Sequence, residues 1–135
     1  MGKRIALALA FLLLCVAPTA YAQHIEYQEF LLHNAEAGNV GGVSMPVSNY
    51  TSVALDITIS AAATVTFQAS AAGGVFSGIT CLQSTTLLRT TNVVSATASG
   101  LFQCNVAGFQ SFRALISGNT GAVTVFARAT TGGFQ

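Results

Sequence analysis

The chain has 135 residues, 52% hydrophobic and only 7% charged, with a formal net charge of +1. Two of its five basic residues, Lys3 and Arg4, stand at the N-terminus; the rest of the chain carries Arg89, Arg113 and Arg128 against Glu26, Glu29, Glu36 and Asp56, a net charge of −1 with no lysine. Polyanions are held by clustered cations, so this balance argues against nucleic acid as a partner. A surface so poor in charge also resists aggregation badly when bare, which points to a protein partner, a lattice or a glycan covering part of it.

The N-terminus has the three-part layout of a cleavable secretory signal. Lys3 and Arg4 are followed by the apolar run from Ile5 to Val16, the helix-breaking Pro18, and small residues at both recognition positions of Ala20-Tyr21-Ala22. The run holds about a dozen residues, short of the roughly 20 that span a bilayer as a helix. Residues 1–22 are therefore expected to leave, and residues 23–135 to form one domain of 113 residues with no stable membrane span. Cys15 invites a lipoprotein reading, but Leu14 stands where a small residue precedes a lipidated cysteine. The expected location is secreted, meaning extracellular, periplasmic or on a virion surface.

From Ile25 onward nearly every segment alternates with period two, the mark of half-buried strands. Ile25 to Leu32 is the first candidate, followed by the polar, glycine-containing loop Asn34 to Gly42 and a second strand from Val43 to Val47. Asn49-Tyr50-Thr51 matches an N-glycosylation sequon but serves equally as turn chemistry before a strand. Ser52 to Ser60 places Val53, Leu55, Ile57 and Ile59 on one face; Ala63 to Ala69 does so with Val65 and Phe67 after the tight link Ser60 to Ala63. Val75 to Leu82, Gly100 to Val106, Ser111 to Ile116 and Ala122 to Ala129 complete the set, separated by glycine-bearing turns. In the last of these Val123, Val125 and Ala127 oppose Thr124, Phe126 and Arg128. About eight short strands without a helical period or a repeat predict an all-β chain, an antiparallel β-sandwich of jelly-roll or immunoglobulin-like type. Cys81 and Cys104 remain once Cys15 has left, and in an oxidising compartment they are expected to pair.

The stretch Gly100-Leu101-Phe102-Gln103-Cys104-Asn105-Val106-Ala107-Gly108-Phe109-Gln110-Ser111-Phe112-Arg113, followed by Gly121-Ala122-Val123-Thr124-Val125, resembles the β-sandwich domains of tailed-phage structural proteins and phage-like environmental proteins. Those domains carry G-L-Y-x-x-x-V-A-G-(L/F)-x-x-(F/V)-R before a final G-x-V-T-V strand, and a T-V-T-F-E-G-S strand similar to Thr64-Val65-Thr66-Phe67-Gln68-Ala69-Ser70. Where they have a D-G-x-x-W turn, this chain has Ala72-Gly73-Gly74-Val75-Phe76, which lacks the aspartate and the tryptophan. The resemblance spans roughly residues 52–129 and implies a fold rather than a function, since one sandwich hosts many roles. Independently of it, Gly108 suits a reversal needing positive φ, and Leu101, Phe109 and Phe112 are expected to fill the core. Arg113 should point away from Phe112, pairing with Asp56 or with loop carbonyls.

Few groups could converge for catalysis, and the chain reads as no enzyme. It has two histidines, His24 and His33, one aspartate, Asp56, and no G-x-S-x-G elbow. A carboxylate pair would have to come from Glu26, Glu29, Glu36 and Asp56, and Glu26 and Glu29 fall on opposite faces of a strand. An N-terminal His24 with His33 would suit copper, but cleavage after Ala22 leaves Gln23 in front of His24, so no metal and no cofactor are expected. The reading is a secreted or virion-associated structural or adhesion module acting through sheet faces or edges. Tyr27, Phe30, Phe126 and Arg113 are its candidate contact residues, with self-assembly or virion and cell-surface proteins as partners. The alternative is a lectin-like, carbohydrate-binding module using a flat display such as Thr64, Thr66 and Gln68, with the copper protein third.

Overall fold

The computed structural model describes residues 26–72, 74–85 and 89–131, so the segment expected to be a signal and His24 lie outside the described residues. Eleven strands run β1 (Tyr27–Glu36), β2 (Met45–Pro46), β3 (Ser52–Ile59), β4 (Thr64–Ser70), β5 (Ser77–Gly78), β6 (Cys81–Thr85), β7 (Arg89–Val93), β8 (Ser95–Ala96), β9 (Gly100–Asn105), β10 (Ser111–Ser117) and β11 (Val123–Thr130). They form two antiparallel sheets. The larger is ordered β1-β11-β3-β9-β6-β7, the smaller β2-β10-β4-β5, with β8 also paired to β4.

The alternation expected from the sequence sets which face of each strand is inside. Val53, Leu55 and Ile57 of β3 and Val123, Val125, Ala127 and Ala129 of β11 are buried beneath the larger sheet. Val65, Phe67 and Ala69 of β4 and Phe112, Ala114 and Ile116 of β10 meet them from the smaller one. The two layers interdigitate, as face-packed sheets do: the ring of Phe67 sits 5.3 Å from that of Phe102 on β9, tilted by 49°. The link 60–63 carries the chain from one sheet to the other. It is fastened where Ser60 N–H donates to Ala122 O and Ala122 N–H to Ser60 Oγ.

Cys81 and Cys104 are bonded, directly opposite each other on β6 and β9 with 4.3 Å between Cα atoms, and both are buried. That separation is the narrow one of an antiparallel pair that exchanges no backbone hydrogen bonds.

Several expectations are corrected. Residues 75–82 do not make one strand. Ser77–Gly78 pairs with β4 in the smaller sheet, Ile79 N–H donates to Phe67 O, and the chain then changes sheets to pair Cys81–Thr85 with β9. Val43–Val47 shortens to Met45–Pro46 at a sheet edge, where the missing N–H of Pro46 is tolerated. β7 and β8 were not anticipated. Leu101 is not in the core: Phe102, Cys104 and Val106 take the inward phase of β9, which turns Leu101 outward at 57% exposure. Phe112 is fully buried, Phe109 packs at the core margin, and Gly108 has the expected positive φ of 86°.

β1 holds the least regular feature. Its register against β11 passes from Leu31↔Phe126 to His33↔Val125, so Leu32 is an inserted residue. A bulge of this kind turns two consecutive side chains to one face, and both Leu32 and His33 are buried. His33 then reaches across the sandwich, its Nε2–H donating to Ala114 O on β10 at 2.7 Å. Gly42 (φ 73°) packs against this bond; a Cβ there would lie 2.7 Å from His33 Nε2 and closer still to Ala114 O.

Candidate functional site on the outer face of the larger sheet

An antiparallel sheet with one buried face ordinarily turns polar side chains to water on the other. The larger sheet breaks this rule in a connected patch. The registers of β1, β11, β3, β9 and β6 align Leu31, Phe126, Asp56, Leu101 and Ser84 in one transverse row. The next row aligns Glu29, Arg128, Ala54, Gln103 and Leu82. Leu31, Phe126 and Leu101 keep 51%, 40% and 57% of their surface exposed. Between β11 and β6 the face dips into an open groove of 510 Å³, lined among others by Phe126, Asp56, Leu101, Leu82, Ser84 and Gln103. A cluster of exposed large apolar side chains with few polar groups among them marks a candidate binding surface.

Charge on this face is arranged around the apolar floor. Arg128 donates from both Nε and Nη2 to Glu29 Oε1, and its guanidinium lies 4.9 Å from the centre of the Tyr27 ring. The hydrogen bond that Arg128 donates to Glu29, and then the negative charge of Glu29, hold Arg128 above the ordinary arginine pKa. Because the pair stands in solvent, it orients the two side chains more than it stabilises the fold. Asp56 sits in the adjacent row, diagonal to Arg128, with no hydrogen-bond or ion-pair partner among the described residues.

The anticipated contact residues separate into three environments. Tyr27 and Phe126 belong to the outer face just described. Phe30 is on the opposite side of β1 and packs, partly exposed, against the margin of the core. Arg113 is on the outer face of the smaller sheet. Among the described residues it pairs neither with Asp56, which belongs to β3 of the other sheet, nor with loop carbonyls; its Nε donates to Gln68 Oε1 at 2.8 Å and its guanidinium lies 4.1 Å over the ring of Phe76. His33, the imagined copper ligand, has its Nε2 committed to a carbonyl in the interior. Asn49 lies in an exposed turn closed by Tyr50 N–H to Val47 O, while the hydroxyl of Thr51 is turned to the carbonyls of Thr130 and Thr131.

Leu31, Leu82 and Leu101 were missed as surface residues. Leu31-Leu32 and Leu101-Phe102 are consecutive apolar pairs, and alternation cannot say which member faces out. The usable signal was Cys104: once it is taken as buried in a disulfide, period two puts Phe102 inside and Leu101 outside.

Two face-packed antiparallel sheets, neither closed into a barrel, with an exposed apolar patch on the larger one, define a β-sandwich of the kind found in phage-derived proteins. In particular, the SPBc2 prophage-derived protein YomS shares it with a TM-score of 0.72 and 18% sequence identity, over 78% of this chain and 94% of that one. The PBSX exported protein XepA shares it with a TM-score of 0.74 and 17% identity, over 80% of this chain but only 39% of that longer one. At these identities the common property is the fold. No protein-family model matches the sequence, and no curated protein matches it. Among the described residues no helix is long and apolar enough to cross a membrane.

Proposed function

We propose that this chain is a non-enzymatic structural module, exported or virion-associated, that assembles with a second copy of itself through the outer face of the larger sheet. The observation that carries this reading is the exposed row Leu31, Phe126 and Leu101 flanking an unpaired Asp56. Placing a second copy there, rather than an unrelated partner, is supported by the patch being complementary to itself. Asp56 and Arg128 are diagonal neighbours, so a two-fold axis passing between them in the interface sets the acid of one copy over the side of the Arg128 guanidinium that Glu29 leaves open on the other. With a net charge of only −1 on residues 23–135, long-range repulsion between copies is small. The fold it shares with phage-derived proteins, one of them described as exported, supports the setting.

Sedimentation equilibrium tests the proposal. Residues 23–135 are expected to associate as concentration rises. The double variant Leu101→Ser/Phe126→Ser should stay folded but dissociate about 100-fold more readily, since burying the exposed part of two large apolar side chains from each copy contributes roughly 3 kcal/mol. A wild-type protein that stays monomeric at high concentration would sink the proposal.

A further inference from the structure

The smaller sheet presents a different chemistry on its outer face. Arg113 on β10 stands opposite Gln68 on β4, Leu115 opposite Thr66, and Ser117 opposite Thr64; Ser95 on β8 continues the Thr66 row, and Gly78 on β5 stands beside Gln68. Apart from Arg113, the side chains at these positions are hydroxyls, an amide and one leucine. The arginine itself is held at two points. Its Nε–H donates to Gln68 Oε1, and one flat side of the guanidinium rests on Phe76. Phe76 occupies the place that the D-G-x-x-W turn of the resembling phage domains gives to tryptophan.

Arginine has five N–H donors, and this one uses a single donor toward the described residues. The four on Nη1 and Nη2 have no partner among the described residues, and no carboxylate is paired with the charge. Arg128, in contrast, is engaged by Glu29. A guanidinium already fixed by an amide and a ring has surrendered most of its conformational freedom before any ligand arrives. Its remaining edge offers two parallel donors at the spacing of a planar carboxylate. One cation on a domain of net charge −1 is too little for a polyanion, which needs several, so it matches a ligand with a single carboxylate. The neighbouring Thr64, Thr66 and Ser95 provide hydroxyls that exchange hydrogen bonds with other hydroxyls, and all three are partly exposed. We infer that the outer face of the smaller sheet, centred on Arg113 with Gln68 and Phe76, binds a carboxylated sugar chain, the carboxylate on the free guanidinium edge and the sugar hydroxyls along the threonine rows.

The inference is independent of the assembly face, which lies on the opposite side of the sandwich. Titration calorimetry at low salt with cellobiouronic acid, which carries one carboxylate, against neutral cellobiose, tests it. The uronate is expected to bind at least about tenfold more tightly than the neutral sugar. Arg113→Gln removes a charge-assisted pair and should weaken uronate binding about 10- to 100-fold. Arg113→Lys keeps the charge but not the fork, and should also lose about tenfold. Phe76→Ala, which leaves the charge in place, should weaken binding by releasing the guanidinium. The Leu101→Ser/Phe126→Ser variant should bind like the wild type, which separates this site from assembly. Equal binding of the two sugars, an Arg113→Lys protein that binds normally, or an acidic peptide that binds as tightly as the uronate would overturn it.

Discussion

Gly42→Ala is expected to destabilise the domain by about 3 kcal/mol and to lower its melting temperature by roughly 10–20 °C. Two effects combine. A non-glycine residue forced into the left-handed region costs roughly 1–2 kcal/mol, and Gly42 has φ 73°. The added methyl also falls on the bond between His33 Nε2 and Ala114 O. Separating those atoms leaves a buried donor and acceptor unsatisfied, which costs about 1–3 kcal/mol more. The explanation has a diagnostic partner. In a His33→Ala background the imidazole is gone, so Gly42→Ala should cost measurably less than in the wild type. Thermal unfolding followed by circular dichroism on the four proteins of this cycle decides it. Strict additivity would place the cost in the backbone alone.

The second large effect concerns the disulfide. Cys81→Ala/Cys104→Ala should lose about 3 kcal/mol, the value expected for closing a loop whose ends are 23 residues apart. Alanine is the informative replacement, because both positions are buried and serine would bury two hydroxyls as well. In guanidinium the midpoint should fall and the slope rise, since the unbridged unfolded chain exposes more surface. The bond also bears on the candidate site. Leu82 and Gln103, on the floor of the groove, are the register pair next to Cys81 and Cys104. Without the bridge, β6 and the edge strand β7 depend on backbone pairing with β9 alone, so self-association should weaken together with stability. If association were unchanged in the alanine pair, the groove would not depend on that edge.

The sandwich was legible in the sequence because β3, β4, β10 and β11 each alternate cleanly. Val53-Leu55-Ile57 and Val123-Val125-Ala127 read as inner faces without help from outside the strand. Legibility failed where one stretch of chain serves two sheets. In residues 75–82 nothing in the local pattern distinguishes a continuous strand from one that leaves β4 at Gly78 and rejoins at β9 with Cys81. It failed again at β1, where the extra residue Leu32 shifts the phase, so that His33, polar and chemically tempting, ends up inside. The site followed the same logic. Phe126 stood out because its neighbours Val125 and Ala127 fix its phase, whereas Leu31 and Leu101 were hidden in apolar doublets. The partners of Arg113, Gln68 from a strand 45 residues away and Phe76 from a loop, are tertiary facts that no local pattern could supply.

The most direct test of the assembly surface is a concentration series of methyl spectra on leucine-labelled residues 23–135. Leu31, Leu82 and Leu101 belong to the proposed interface, Leu32 and Leu55 to the core, and Leu115 to the outer face of the other sheet. The assembly reading predicts that the signals of Leu31, Leu82 and Leu101 move or broaden with concentration while those of Leu32, Leu55 and Leu115 hold still. Unmoved signals at those three positions, or changes centred on Leu115, would contradict it.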